Sequence, residues 1–244
     1  MADSQMTFGI VVPTYFRHDG STHFLLTRAI ASVSRQTYTD WRLFLVGDHY
    51  VDQYESDFWM ATSRIPPHKF QSVNLPWAVE RDSGMTGDAL WRAGGSAATN
   101  FGLAMARAAG CRLTAHLDDD DVWAENHLET LMTAYRLGDD VAFAWTRGTR
   151  GFGHGYLPTL IGSGAPKPLM PRAGWLSHSC ASWRLDLLDS MYLGKPEVPG
   201  DADLWTRMAE EMLRKGLRSF YIPIATVIKE NERRMVIDSV GEGA

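Results

Sequence analysis

The chain has 244 residues, 45% of them hydrophobic, and carries a formal net charge of −5. That length suits one large α/β domain or two small ones, with ample apolar content for a core. The acidic balance argues against a nucleic-acid-binding surface, and Cys111 and Cys180 are too few and too far apart for a disulfide scaffold or a zinc cluster. They read as reduced thiols of a cytosolic protein. Met1 to Met6 lacks a basic region followed by an apolar stretch, and no apolar run reaches the ~20 residues of a membrane span. A soluble, cytoplasmic protein without an integral membrane segment is expected.

Phe8 to Pro13 reads as a fully buried first strand. Ser21 or Thr22 can cap a helix whose apolar positions Leu25, Leu26, Ala29, Ile30 and Val33 follow helical spacing. Trp41 to Val46 is a second strand, ending at Gly47-Asp48. A helix bearing Tyr54, Phe58, Ala61 and Ile65 follows and is closed by Pro66-Pro67. Lys69 to Leu75 is a weaker strand, and Glu80 to Gly95, rich in glycine and charge, reads as a mobile loop. Ser96 opens a small-residue helix to Ala109. Arg112 to Leu117 is a strand, Glu125 to Arg136 a helix and Val141 to Thr146 a further strand. Residues 148–174 suggest a long active-site loop or short antiparallel strands. An amphipathic helix at Leu204 to Lys215 and strands at Phe220 to Ile222 and Ala225 to Ile228 complete the pattern; the polar tail 241–244 reads as flexible. Strand and helix alternate at a spacing that predicts right-handed crossovers and a mixed, mostly parallel central sheet flanked by helices.

Four carboxylates, Asp118, Asp119, Asp120 and Asp121, directly follow the apolar run Leu113 to Leu117. They therefore sit at the carboxyl end of a buried strand, the edge where open α/β sheets bind ligands. Two adjacent like charges repel by about 4 kcal/mol at an effective dielectric of 20. A bridging cation reverses that cost, and hard divalent ions such as magnesium or manganese favour oxygen ligands. Asp48 ends the second strand on the same edge. Pro13, Thr14 and Tyr15 end the first, with Arg17 close enough to neutralise a phosphate. An aromatic face for a base, a carboxylate for a ring N–H and an acidic run for a metal-bridged diphosphate together describe a nucleoside-diphosphate site.

In this arrangement the chain resembles the family 2 glycosyltransferases of the GT-A fold. The matching stretches are Val11-Val-Pro-Thr-Tyr15, Ser32-Val-Ser-Arg-Gln-Thr-Tyr38, Leu45-Val-Gly-Asp48, Gly95-Ser-Ala-Ala-Thr-Asn-Phe-Gly102, Leu117-Asp-Asp-Asp-Asp-Val-Trp123 and Gly200-Asp-Ala-Asp-Leu-Trp205. They keep the family's order. The resemblance implies a single GT-A-like domain over residues 1–240, with a nucleotide-sugar and metal half (7–122) and an acceptor and catalytic half (123–235). It implies that Thr14, Tyr15 and Asp48 hold base and ribose, with Pro13, Arg17, Asn100, Asp118 and Asp119 also on the donor side. Asp120 would be the direct metal ligand, with Asp118 contacting the ribose or the metal shell, and the cofactor would be a divalent cation, manganese or magnesium. Apart from the resemblance, His178, beyond the Gly- and Pro-rich stretch, reads as a core histidine, a metal ligand or a donor to the diphosphate. Asp201 matches the catalytic base of inverting members, with Asp203 as its rival. The chain departs from the pattern at Gly47-Asp48-His49-Tyr50, where one carboxylate stands for two, at Thr99 where an Arg is common, and at Gly200 where a Glu is usual.

The implied reaction is metal-dependent, inverting transfer of a sugar from a nucleotide-diphosphate donor, a UDP-sugar first, to a hydroxyl of a carbohydrate, lipid-linked or small-molecule acceptor. Two alternatives stand beside it. A nucleotidyltransferase acting on a sugar phosphate would show a Gly-rich basic loop after the first strand, which Thr14 to Gly20 lacks. A catalytically silent binding module would lack the base, yet Asp201 is present. No G-x-G-x-x-G follows the first strand, against a dinucleotide-binding dehydrogenase. His116 reads as buried structure. Lys229, Arg233 and Arg234 either cover the diphosphate or form a solvated basic face. Trp91, Trp145, Trp175 and Trp183 are candidates for stacking on a sugar.

Overall fold

A computed structural model describes residues 6–51, 55–63, 65–150, 164–188 and 192–229. In chain order the elements are β1 (Phe8–Thr14), α1 (Thr22–Ser34), β2 (Trp41–Gly47), α2 (Glu55–Met60), β3 (Phe70–Asn74), α3 (Val79–Asp82), α4 (Gly87–Ala93), α5 (Ser96–Ala108), β4 (Leu113–His116), β5 (Val122–Trp123), α6 (His127–Tyr135), β6 (Val141–Arg150), β7 (Lys167–Pro168), β8 (Ala181–Arg184), α7 (Gly200–Lys215) and β9 (Arg218–Lys229). All nine strands among the described residues belong to one sheet, ordered β3-β2-β1-β4-β8-β6-β9-β5, with β7 also on β9. The long ladders, β3-β2-β1-β4 and β6-β9, are parallel. The antiparallel pairings all involve the short strands β5, β7 and β8. The expected mixed α/β sheet is what the chain forms.

β1 shows why the layers form. Its side chains alternate between faces. Phe8, Ile10 and Val12 pack with Leu26, Ala29 and Ile30 of α1 and Leu128 and Leu131 of α6. Val11 points the other way, toward Leu103 and Ala106 of α5. The small residues of α5 let it approach the sheet closely: a Cβ on Gly102 would stand 2.5 Å from Val11 Cγ1, and one on Gly9 2.6 Å from Ala106 Cβ. On the same side, Leu204, Trp205, Met208 and Met212 of α7 pack with Trp183 and Phe143. Burying side chains of this size stabilises the fold by about 1.5–3 kcal/mol each.

Several expectations are corrected. Glu80 to Gly95 is not a loop but α3 and α4, because Glu80 is buried and its carboxylate accepts from the Ala97 N–H (2.7 Å) at the start of α5. Neither Ser21 nor Thr22 caps α1 with its side chain; the Ser21 hydroxyl donates to Asp19 (2.6 Å) and Thr22 Oγ1 accepts from the Arg17 N–H (2.6 Å). The helix expected to reach Ile65 ends at Met60, and Pro67 instead opens a short 3₁₀ turn, Pro67–Lys69. The two strands expected after residue 219 are one, β9. Pro223 cannot donate to a ladder and is absorbed where the register slips between Trp145↔Tyr221 and Arg147↔Ala225. β8 was not expected. Trp145 and Trp183 are core residues, 2% and 0% exposed, and so cannot stack on a sugar, whereas Trp91 and Trp175 are exposed. Tyr54, Arg233, Arg234 and the tail 241–244 lie outside the described residues, as do 151–163 of the expected active-site loop. Among the described residues no helix is long and apolar enough to cross a membrane.

Candidate active site

The carboxyl ends of β1, β2 and β4 lie side by side, as their register requires. Beyond β4 the chain turns sharply, with the Asp121 N–H donating to the Asp118 carbonyl (3.0 Å), and then enters β5. β5 pairs antiparallel with β9, Val122 opposite Ile228, which brings Lys229 across from Asp121. The acidic turn is thus fastened between β4 and β9.

Each carboxylate has a different neighbour. Asp119 is buried and takes a bidentate pair of bonds from Arg17, Nη1 at 2.8 Å and Nη2 at 2.5 Å. It also accepts from the Thr14 hydroxyl (2.6 Å), so the Tyr50 hydroxyl at 2.7 Å must donate to Thr14, which has one proton to give. Asp121 is fully buried and accepts from Lys229 Nζ (2.6 Å) and Ser179 Oγ (2.5 Å), while its Oδ1 has no partner. Asp118 accepts from Lys229 Nζ (3.1 Å) on Oδ2 and lies 3.0 Å from His116 Nε2 and 3.8 Å from His178 Nδ1 on Oδ1. Asp120 is buried with only a loose ion pair to Arg17 (3.6 Å).

The charges follow from these contacts. Burial opposes ionisation of Asp118, but Lys229 and the His116 bond outweigh it and hold Asp118 well below the usual carboxylate range. Burial, with the charges of Asp119 and Asp118, pushes Asp120 up to about 6. Burial also pushes Asp121 up to about 7 against the pull of Lys229. His178 is pushed down to about 3 by burial and by His116. Among the described residues, Arg17 and Lys229 supply two positive charges to four carboxylates. The remainder, two formal negative charges, fits one divalent cation.

The second carboxylate site is built around Asp48. It is 5% exposed, with Arg81 3.2 Å from Oδ2, and Arg81 also donates to the Asp48 carbonyl. Oδ1 is buried without a partner, and burial raises the carboxyl's pKa. Tyr15, 41% exposed, carries Arg17 over its ring at 4.4 Å and Arg81 at 5.5 Å. Tyr15, Asp48 and Arg81 therefore form one cluster beside the acidic turn. Pro13 stays within the β1 ladder opposite Val46.

Asp201 sits in the first turn of α7, accepts from the Ala202 N–H (2.7 Å), and has its pKa raised by burial and by Asp118. Asp203 instead pairs with Arg207 (2.7 Å) and Lys195 (3.6 Å). Asn100 is occupied on both sides by the backbone of Tyr192, donating to its carbonyl (2.8 Å) and accepting from its N–H (2.9 Å), and acts as a strut for that segment. Sequence reasoning missed Arg81, Ser179 and Tyr50. Ser179 also accepts from the Asp118 N–H (3.0 Å), and its carbonyl accepts from Trp123 Nε1 (2.8 Å), so it ties the 3₁₀ turn His178–Cys180 to the acidic turn. Nothing in the local sequence around Ser179 signals this.

No protein-family model matches the chain. It is 36% identical over 223 residues, 87% of this chain and 88% of the relative, to an uncharacterized glycosyltransferase, R139, of Acanthamoeba polyphaga mimivirus. Its fold is similar to that of S. aureus TarS 1-349 (TM-score 0.64, 17% identity, 92% of this chain) and to the same protein in complex with UDP (TM-score 0.63, 15% identity). It is also similar to the mannosyltransferase PcManGT from Pyrobaculum calidifontis in complex with GDP-Man and Mn2+ (TM-score 0.58, 16% identity, 92% of this chain). The chain spans 60% of the TarS 1-349 chains and 56% of PcManGT. With an acidic turn at the carboxyl edge of a mixed sheet, and a relative of this identity matched nearly end to end, the chain belongs to the glycosyltransferases and has their GT-A-type fold.

Proposed function

We propose that this enzyme moves a sugar from a nucleoside-diphosphate donor to an acceptor hydroxyl with inversion at the anomeric carbon, and that a divalent cation assists. The observation that carries the reading is the charge balance of the acidic turn, four carboxylates against Arg17 and Lys229. Asp120 and Asp118 are the carboxylates that would hold the cation. Bound there, it would supply Lewis-acid stabilisation of the leaving diphosphate. Similar folds solved with UDP and with GDP-Man and Mn2+ support a donor of this class.

The donor base rests against Tyr15, and the unpartnered Oδ1 of Asp48 accepts from its ring N–H. One carboxylate facing one ring N–H suits uracil, so a UDP-sugar is the first donor to test. Arg81 holds Asp48 in place and offsets the cost of its burial. Asp201 takes the acceptor proton: among the described residues it has no basic ion-pair partner, and burial, with the charge of Asp118, raises its affinity for a proton. With one base and one displacement, the product is inverted.

The test is a thermal-shift series with UDP, GDP and their sugars, each with Mn2+, Mg2+ or EDTA. A ligand at 100 times its Kd stabilises the native state by about 2.7 kcal/mol. The expected result is cation-dependent stabilisation by uridine nucleotides, reduced in Arg81→Ala. A folded protein that no nucleotide stabilises under any condition would overturn the reading.

A further inference from the structure

His116 and His178 come from different elements, the end of β4 and the 3₁₀ turn before β8, yet both rings turn toward one oxygen of Asp118. One ligand atom from each of the three residues lies within 4.8 Å of the others. The ring centroids are 4.7 Å apart and the planes inclined by 34°. An ion about 2.1 Å from each ligand atom can span the 3.0 and 3.8 Å that separate His116 Nε2 and His178 Nδ1 from the shared Asp118 oxygen. His127 provides the contrast of a packing histidine. It stacks on Trp123 at 4.4 Å, and its ring nitrogen faces a hydroxyl, Thr226 Oγ1 at 2.7 Å, rather than a carboxylate.

We propose that His116, His178 and Asp118 form a two-imidazole, one-carboxylate site for a divalent transition-metal ion, which selects such an ion over Mg2+. Asp118 is shared with the cation-holding carboxylates named above, so the inference rests on that reading and assigns imidazole ligands to the same ion. Imidazole nitrogen is a borderline ligand that favours first-row transition ions, whereas Mg2+ demands oxygen and keeps its water. Tyr192 and Trp205 wall the imidazoles, with ring centroids 5.3 and 5.7 Å from His178, which limits water on that side. The outer nitrogens, His116 Nδ1 and His178 Nε2, have no hydrogen-bond partner among the described residues. Histidine ligands are usually fixed by such a partner, and its loss weakens metal affinity by about 10–100-fold. The site therefore holds an exchangeable ion rather than a permanent structural one.

The experiment titrates Co2+ alone, and separately Mg2+ alone, into the full chain without nucleotide. Visible absorption reports the donor set, and circular dichroism of the metal-free protein controls for folding. Wild type is expected to bind Co2+ more tightly than Mg2+ and to develop a nitrogen-ligated cobalt spectrum. His178→Ala and His116→Gln should each weaken Co2+ binding by about tenfold or more and change that spectrum, while Mg2+ binding moves by less than about twofold. Should His116→Gln fail to fold, the less deeply packed His178→Ala decides alone. Unaltered Co2+ affinity and spectrum in a folded His178→Ala would overturn the proposal. Because no nucleotide is present, that outcome is separate from any failure of donor binding.

Discussion

The ammonium of Lys229 lies 2.6 Å from Asp121 and 3.1 Å from Asp118, at the last position of β9 and across from the acidic turn. A lysine from the far end of the described chain thus carries half of the positive charge that this turn receives. Removing one partner of a buried pair leaves an uncompensated charge and costs about 3–5 kcal/mol. Lys229→Met is expected to lose roughly that much in urea unfolding. Mn2+ should restore more stability to the variant than it adds to wild type, since the variant has the greater excess of carboxylate. Equal gains in the two proteins would show that Lys229 and the ion do not share a charge balance.

Asp201 and Asp203 are two residues apart and have opposite surroundings. General-base catalysis is worth about 10²–10⁴ in rate. Asp201→Asn should lose turnover on that scale while donor binding, measured by calorimetry, stays within about threefold of wild type. Asp203→Asn breaks an i,i+4 pair with Arg207 worth about 0.3–0.5 kcal/mol on a helix surface and should turn over nearly normally. The reverse pattern would move the base to Asp203.

His127 gives the fold a measurable response to acid. Burial lowers its pKa from 6.5 to about 3. Between those limits the unfolded chain binds a proton that the folded chain refuses. The contribution of His127 is therefore fully present above pH 6.5 and is lost as pH falls toward 3. One such proton is worth about 1.4 kcal/mol per pH unit. His127→Gln should reduce the slope of stability against pH by that amount between pH 4 and 6, whatever its absolute stability. An unchanged slope in urea-unfolding curves would mean that His127 titrates normally in the folded protein.

What could be read from the sequence was what depends on neighbours in the chain. Phe8 to Val12, Leu43 to Val46 and Leu113 to Leu117 are apolar runs long enough to declare buried strands, so Asp48 and the acidic run could be set on one sheet edge beforehand. The partners of those carboxylates could not. Arg81 lies in a stretch whose glycines and charges look like loop, and its place is set by Asp48, 33 positions away. Ser179 reaches the acidic turn only because β8 pairs antiparallel with β4. Asn100, placed with the donor on the strength of a motif, spends its amide on Tyr192. The burial of Trp145 and Trp183 likewise follows from which strands became neighbours, a long-range outcome that residue type does not encode.

The contact of α5 with β1 has a further consequence. At Gly9 and Gly102 the helix and the strand are separated by less than one methyl group. β1 ends at Thr14, whose carbonyl accepts from the Asp48 N–H, and α5 carries the Asn100 strut that fixes Tyr192 near the imidazoles. Those two regions are thereby gauged against a single incompressible spacer. Adding a methyl group at Gly9 or Gly102 would shift the Thr14 end of β1 and the Asn100–Tyr192 strut together.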